Sequence, residues 1–196
     1  MTGLAADAVQ IWADLVAGNQ RFRAGTPQPR NLIAEREALV KAQHPRVIVL
    51  ACSDSRVAPE TIFDQPLGEL FVVRTAGNTA DALAIGSIEY AAGHLGAGVL
   101  VVLGHTSCGA VEAACSSEKV SSANLKAVIR PIRAACEKPG LQGEDLLRAV
   151  EQDNLHRSTR GILERSPVLH ELAQQGKLTV IEAYYRLDSG EVRRLK

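Results

Sequence analysis

The chain has 196 residues, of which 46% are apolar, and it carries 22 basic and 22 acidic residues. This length and composition predict a single folded domain and exclude disorder. The zero formal net charge excludes a global field that would favour nucleic acid or an anionic membrane as a partner. No apolar run approaches the roughly 20 residues of a membrane span. The first ten residues lack the pattern of a secretory signal peptide. We therefore expect a cytoplasmic location, in which all four cysteines stay reduced.

Residues 1–44 predict a helical arm. Apolar residues recur at helical spacing over 7–24, and Trp12 and Phe22 belong to this apolar face. A second helix is predicted over 32–42, because Asn31 is a suitable N-cap residue.

Residues 45–115 predict an alternating α/β core. Continuous apolar and β-branched runs bounded by turn residues are typical of parallel strands that are covered on both faces. The predicted strands are 46–51, 69–74 and 98–104, and the predicted helices are 58–63, 81–95 and 108–115.

Residues 116–196 predict further helices and the last strands. The helices are expected over 123–137, with Pro131 as a kink or boundary, over 143–164, and from 166 to 176. A strand over 177–184 and an edge strand within 185–195 complete the sheet. The predicted fold over 1–196 is therefore one α/β domain, with a mostly parallel sheet of four strands plus an edge strand, flanked by helices.

Two polar motifs follow predicted strands. Cys52-Ser53-Asp54-Ser55-Arg56 follows the first strand, and His105-Thr106-Ser107-Cys108-Gly109 follows the third. If these strands are neighbours in a parallel sheet, both motifs emerge at the same carboxyl edge, where open α/β sheets build their sites. Two thiolates and one imidazole are typical ligands of a catalytic zinc, with the fourth position left open. The wide spacing of only three ligands favours a catalytic over a structural site.

Two further cysteines lie outside the motifs. Cys115 and Cys136 lie within helical patterns, so we expect them to be small buried apolar side chains.

The Asp54–Arg56 pair has two interpretations. Asp54 and Arg56 form either a surface ion pair of little consequence or a pair in which Arg56 orients Asp54 toward a metal-bound water. The position beside a metal ligand favours the second interpretation.

At these residues the sequence resembles the β-class carbonic anhydrases, zinc enzymes that interconvert carbon dioxide and bicarbonate. The resemblance is carried by the segments ACSDSRV at 51–57, FVVRTAGN at 71–78, GSIEYA at 86–91 and GHTSCGAV at 104–111. The segment LVAGNQRF at 15–22 is similar to the N-terminal helix of the family.

The resemblance implies a set of site residues and partners. One zinc ion would be held by Cys52, His105 and Cys108, beside the Asp54–Arg56 dyad. The residues implied in substrate binding are Gln43, Val57, Phe71, Tyr90 and Gly109. The family's carbon dioxide cleft lies between two subunits, which implies a homodimer or a dimer of dimers. The N-terminal arm would embrace the partner and cover Trp12 and Phe22.

The implied reaction is hydration of carbon dioxide by hydroxide on zinc, with Asp54 accepting the hydroxide's proton. In a closed state Asp54 is instead a fourth zinc ligand. We expect the open state, because Val49 replaces a tryptophan of the regulatory bicarbonate site found in some bacterial members. Two alternatives stay open at this point: hydrolysis of carbon disulfide or carbonyl sulfide at the same site, and a zinc-binding regulatory protein without turnover.

Overall fold

The computed structural model describes residues 6–117 and 120–195. The rest of the predicted domain, at 1–5, 118–119 and 196, lies outside the described residues. The sheet has the strand order β2-β1-β3-β4-β5. Its strands are β1 Val47–Cys52, β2 Leu70–Thr75, β3 Val99–His105, β4 Thr179–Tyr185 and β5 Val192–Arg194. The first four are parallel and β5 is antiparallel to β4, so the predicted fold class is confirmed.

Eight α-helices are described, together with a 3₁₀ turn at Ala76–Asn78. The helices are α1 Ala6–Ala24, α2 Leu32–Ala38, α3 Pro59–Ile62, α4 Ala82–Gly93, α5 Gly109–Cys115, α6 Ala123–Arg133, α7 Gly143–Arg165 and α8 Pro167–Gln174. Pro131 lies inside α6, and α2 ends four residues before the predicted bound. Among the described residues, no helix has the length and apolar character needed to cross a membrane.

The central strands explain the continuous apolar runs of the sequence. In β1, Val47, Val49 and Ala51 face one apolar layer, which α1 covers in part, while Ile48 and Leu50 face the layer on the other side. Strand β3 alternates in the same way, and every residue of both strands is buried. Burial on both faces requires apolar residues at every position of a strand.

Helix α1 packs on its own chain. Leu15 is buried, and Trp12 and Phe22 are partly buried against the apolar layer of the same chain. A side chain at Gly18 would place its Cβ 1.7 Å from the carbonyl oxygen of Phe63, so glycine is required where α1 approaches α3. The sequence analysis assigned the Trp12 and Phe22 face to a partner subunit. Both side chains are partly buried against their own chain, and contact of this helix with a partner subunit stays a prediction.

A buried carboxylate fastens α1 to the core. Asp64 is 6% exposed and is paired with Arg21 at 2.5 Å and Arg30 at 3.1 Å. The backbone N–H of Gln28 donates to it at 3.1 Å. Burial alone would raise the pKa of Asp64, but its hydrogen bonds with Arg21, Gln28 and Arg30 outweigh this effect and lower it.

We expect Asp64→Asn to lower the free energy of unfolding by about 3 kcal/mol at neutral pH, because it leaves two arginines without their buried partner. The folded-state pKa of Asp64 lies below the ordinary value of 3.8. Its stabilisation is therefore present above that value and is lost as the pH falls through the folded-state pKa. Urea unfolding of both proteins between neutral and acidic pH measures the difference. A difference that grows on acidification would contradict this assignment.

Cys115 and Cys136 form a disulfide, so the prediction that they are reduced, buried apolar side chains is wrong. The disulfide joins the end of α5 to the residues after α6, and both cysteines are only partly buried. The sequence could not supply this pairing, because cysteine spacing does not determine which residues approach each other in space.

Because the disulfide closes a loop with a sequence separation of 21 residues, its reduction should lower the free energy of unfolding by about 3 kcal/mol. Urea unfolding with and without reductant measures this change. The double variant Cys115→Ser/Cys136→Ser is the control, and its stability should not respond to reductant. Four reactive thiols in the denatured, metal-free and unreduced protein, rather than the two of Cys52 and Cys108, would contradict the disulfide.

Candidate metal centre

Three side chains with metal-ligating atoms meet at the carboxyl edge of the sheet. Cys52 ends β1, His105 ends β3, and Cys108 is the N-cap residue of α5. Strands β1 and β3 are parallel neighbours, with Ala51 opposite Leu103, so their ends coincide. The three ligand atoms lie within 4.8 Å of one another and all three residues are buried. The predicted convergence of the two motifs is therefore present in the structure.

The orientation of His105 fits a metal ligand. Its Nδ1 lies 2.9 Å from the carbonyl oxygen of Thr106, which can only accept a hydrogen bond, so Nδ1 carries a proton. The other nitrogen, Nε2, is buried and has no hydrogen-bond partner within the described ranges. A buried polar atom without a partner is costly, and a backbone carbonyl on the opposite nitrogen is the usual support of a metal-bound imidazole.

Cys52 lies in an environment that favours its thiolate. The main cause that lowers the pKa of Cys52 is the hydrogen bond that it accepts from the Cys108 thiol. His105 and the backbone N–H groups of Gly77 and Asp54 lower it further. The two N–H groups lie 3.2 and 3.4 Å from Sγ. The Cys52 thiolate and burial in turn raise the pKa of Cys108. A divalent cation among these atoms would hold both sulfurs as thiolates.

The pKa of His105 is raised although burial lowers it, because the Cys52 thiolate favours the protonated ring. A cation at this position would replace that proton, since metal ligands bind in their deprotonated forms. The donor set therefore fits a metal ion of the zinc type, which prefers thiolate and imidazole ligands.

Gly77 supports the Cys52 side of the site. It adopts φ 73°, and a Cβ at this position would lie 2.5 Å from Ile132 Cδ1 of α6. Both observations favour glycine, whose N–H can then point at the Cys52 sulfur. The carbonyl oxygen of Gly77 accepts a hydrogen bond of 2.7 Å from Asn154 Nδ2 of α7. Helices α6 and α7 thus hold the turn that donates to Cys52.

The Asp54–Arg56 pair bridges the two motifs. Arg56 donates from Nε to Asp54 Oδ1 at 2.9 Å and from Nη2 to Oδ2 at 2.7 Å. The Arg56 backbone N–H also donates to Oδ1 at 2.9 Å. Nη2 reaches the carbonyl oxygen of Ser107 at 3.1 Å. The hydrogen bond from Arg56 is the main cause that lowers the pKa of Asp54 to about 2, so Asp54 is ionised at neutral pH.

Arg74 fixes the loop that carries this pair. Its Nε donates to the carbonyl oxygen of Cys52 at 3.1 Å, and its Nη2 donates to that of Asp54 at 2.7 Å. Among the described residues, Cys52, His105 and Cys108 form the group that could hold a metal ion, while the Asp54 carboxylate is hydrogen-bonded to Arg56.

The expected substrate residues occupy different places. Gln43 and Tyr90 line a surface cavity of about 550 Å³ that none of the three metal-ligating residues lines. The ring of Phe71 lies 6.4 Å from that of Tyr90. Val57 is fully buried in the apolar layer that α1 covers in part, and Gly109 begins α5 directly after Cys108. In the single chain, Gln43 and Tyr90 therefore lie in a different cavity from the one that Arg56 lines.

Glu151 is a site residue that the sequence analysis missed. Its side chain accepts the backbone N–H of Cys108 at 3.1 Å and the hydroxyl of Tyr184. Burial raises its pKa against the effect of these donors. Together with Arg56 and Ser107 it lines a cavity of about 590 Å³. Its position could have been recognised in the sequence. Glu151 lies next to Val150 and four residues before Leu155, and therefore on the face of α7 that turns toward the core.

Comparisons with known proteins agree with this geometry. The family model for carbonic anhydrase matches residues 47–192. Carbonic anhydrase 2 of Mycobacterium tuberculosis strain H37Rv is 38% identical over 186 residues, covering 93% of this chain and 90% of the relative. The carbonic anhydrase of Mycolicibacterium smegmatis is 37% identical over 191 residues, covering 94% and 91%. The β-carbonic anhydrase CafA of Aspergillus fumigatus matches with a TM-score of 0.77 and 26% identity, covering 94% of this chain and 90% of CafA.

Proposed function

The chain belongs to the β-class carbonic anhydrases, and from this premise we propose that it catalyses the reversible hydration of carbon dioxide on zinc held by Cys52, His105 and Cys108. The observation that carries the proposal is the buried Cys-His-Cys group, in which His105 Nε2 has no other partner among the described residues. Two thiolates and one imidazole leave one coordination position for chemistry.

The residues around the metal position have separate tasks. Zinc, when bound, acts as a Lewis acid that lowers the pKa of water toward neutrality. Asp54 is ionised and accepts a hydrogen bond from the reacting oxygen, and Arg56 orients the carboxylate. Oδ1 of Asp54 accepts two hydrogen bonds from Arg56 and Oδ2 accepts one. Oδ2 therefore keeps a lone pair that can receive a hydrogen bond from the reacting oxygen.

The substrate pocket is proposed to form between two copies of the chain. Gln43 and Tyr90 are exposed in the single chain and lie in a cavity apart from the metal-ligating residues. Tyr90, Val40 and Leu83 leave 48%, 78% and 82% of their surfaces exposed, which is apolar area that an interface could cover. In the homodimer, Gln43 and Tyr90 of one subunit would complete the site of the other.

A shared site predicts complementation between two inactive variants. We expect Gln43→Ala and Cys108→Ala to be weakly active alone. A heterodimer of the two contains one intact site, since one subunit supplies the metal ligands and the other supplies Gln43. Coexpression with different tags should therefore recover about a quarter of the wild-type activity for random pairing in a symmetric dimer. Sedimentation analysis provides the oligomeric state. No recovery in purified heterodimers, or a fully active monomer, would contradict the shared site.

Stopped-flow measurement of carbon dioxide hydration by the zinc-loaded protein tests the function itself. The same preparation is offered carbon disulfide and carbonyl sulfide in parallel. Fast hydration that is lost in Asp54→Asn supports the proposal. Turnover of the sulfur compounds alone would replace it with a hydrolase, and zinc binding without turnover of any substrate would indicate a regulatory protein.

A further inference from the structure

We propose that Glu151 is a positioning residue that holds the Ser107–Cys108 turn, and that through this turn one buried carboxylate fixes both a metal ligand and the Asp54–Arg56 pair. The inference rests on the proposed metal site. It concerns the side chains that shape the site and does not depend on the identity of the substrate.

The turn between His105 and Cys108 has a conformation that requires support. Ser107 adopts φ 54°, in the left-handed region that costs a residue other than glycine on the order of 1 kcal/mol or more. Only two residues separate the two ligands, so this reversal sets where the Cys108 sulfur lies relative to His105. A strained turn persists only when surrounding contacts hold it.

Glu151 supplies contacts on the inner side of the turn. The Cys108 N–H donates to Oε1 at 3.1 Å. The backbone N–H of Ser107 also stabilises the charged carboxylate and lowers its pKa. The Tyr184 hydroxyl donates to Oε2. Glu151 is 4% exposed and Tyr184 is 7% exposed, so water has little access to compete for these hydrogen bonds.

The position of Glu151 is itself fixed by the packing of α7 on β3. A Cβ at Gly104 would lie 2.9 Å from Leu155 Cδ1 and 3.3 Å from the Tyr184 ring. The absence of a side chain at Gly104 lets α7 approach the strand that leads into His105. Leu155 lies one helical turn after Glu151, so this close approach sets the depth at which the carboxylate meets the turn.

The outer side of the same turn holds the dyad. The carbonyl oxygen of Ser107 accepts Nη2 of Arg56 at 3.1 Å, and the same Nη2 donates to Asp54. A change in the Ser107–Cys108 turn would therefore displace the Cys108 ligand and the arginine that aims Asp54 together. This linkage distinguishes Glu151 from a carboxylate that only fills a polar gap in the core.

Two substitutions distinguish the contribution of the length of the Glu151 side chain from that of its charge. Glu151→Gln keeps the length of the side chain and an oxygen acceptor for the Cys108 N–H, but removes the charge. Glu151→Asp keeps the charge but is one methylene shorter, so it cannot hold the turn in the same place. The matched control is Glu144→Gln, because Glu144 is on the same helix, lines the same cavity, and has a side chain that is 90% exposed.

Zinc affinity is measured by competition with a chelator. If Glu151 positions the turn, we expect Glu151→Asp to bind zinc about 10 to 100-fold more weakly, with Glu151→Gln and Glu144→Gln within about threefold of wild type. The sulfur-to-metal charge-transfer band of the cobalt-substituted protein should change in Glu151→Asp alone. Both readouts are independent of turnover.

Wild-type affinity and an unchanged cobalt spectrum in Glu151→Asp would overturn the inference. A larger loss of zinc affinity in Glu151→Gln than in Glu151→Asp would also overturn it. The charge of the side chain, and not its length, would then determine the zinc affinity. If the affinities follow the expected order while hydration is absent, the positioning role stands and the proposed function fails.

Discussion

Cys52→Ala and Cys108→Ala should each lose nearly all bound zinc and nearly all hydration activity. Each variant removes one of the three ligand atoms that meet within 4.8 Å. Structural zinc sites have apparent binding free energies of about 10–16 kcal/mol, so losing one of three ligands should cost about 4 kcal/mol, or on the order of 1,000-fold in affinity. The remaining thiolate would leave the metal with uncompensated positive charge.

Metal analysis after dialysis against a weak chelator measures this loss. The control is the double variant Cys115→Ala/Cys136→Ala, which also lacks cysteines but keeps every proposed ligand. It should retain one zinc per chain even though the disulfide is gone. Full zinc retention in Cys52→Ala or in Cys108→Ala would contradict the ligand assignment.

Arg56→Ala should retain zinc but lose about 100-fold or more in hydration rate, which is the range expected when a carboxylate that hydrogen-bonds to the reacting group is no longer oriented. Arg56 is the main cause that lowers the pKa of Asp54 to about 2. Without it the pKa should rise toward the ordinary value of 3.8, which is still far below neutral pH. The loss at neutral pH is therefore a loss of orientation and not of ionisation.

The pH–rate curve tests whether Asp54 competes for the metal position once Arg56 is absent. An Asp54 carboxylate released from Arg56 would be free to compete for the open position of a metal held by Cys52, His105 and Cys108, and that competition would weaken as the pH rises. We expect the wild-type rate to climb from neutral to mildly alkaline pH and the Arg56→Ala profile to be displaced further toward alkaline pH. Arg56→Lys keeps the charge without the bidentate geometry and should lie between the two. An Arg56→Ala variant as active as wild type, or a flat wild-type profile over this range, would show that the pair does not control the metal position.

The sequence sufficed for the sheet and the ligand set because both follow from short-range patterns. Apolar runs in β1 and β3 indicate burial on both faces, and parallel strands must end at a common edge, so Cys52 and His105 were expected to meet. The Cys115–Cys136 disulfide and the contact between Glu151 and Cys108 were not predictable in this way. Both depend on how helices pack over the sheet, and side-chain periodicity within one helix does not contain that information.

The contacts that support the proposed metal site come from parts of the chain that are synthesised after its ligands. All three ligands are present once residue 108 has emerged, yet the amide that holds the Gly77 turn belongs to Asn154. The Ile132 side chain that packs against Gly77 also comes later in the chain, and Tyr185 closes the β3 edge beside the site by accepting the N–H of Thr106. A nascent chain ending before α7 would therefore hold the ligands without their supports. In contrast to small zinc domains, in which the metal drives folding, we expect this site to reach its full metal affinity only after α7 and β4 have packed against it.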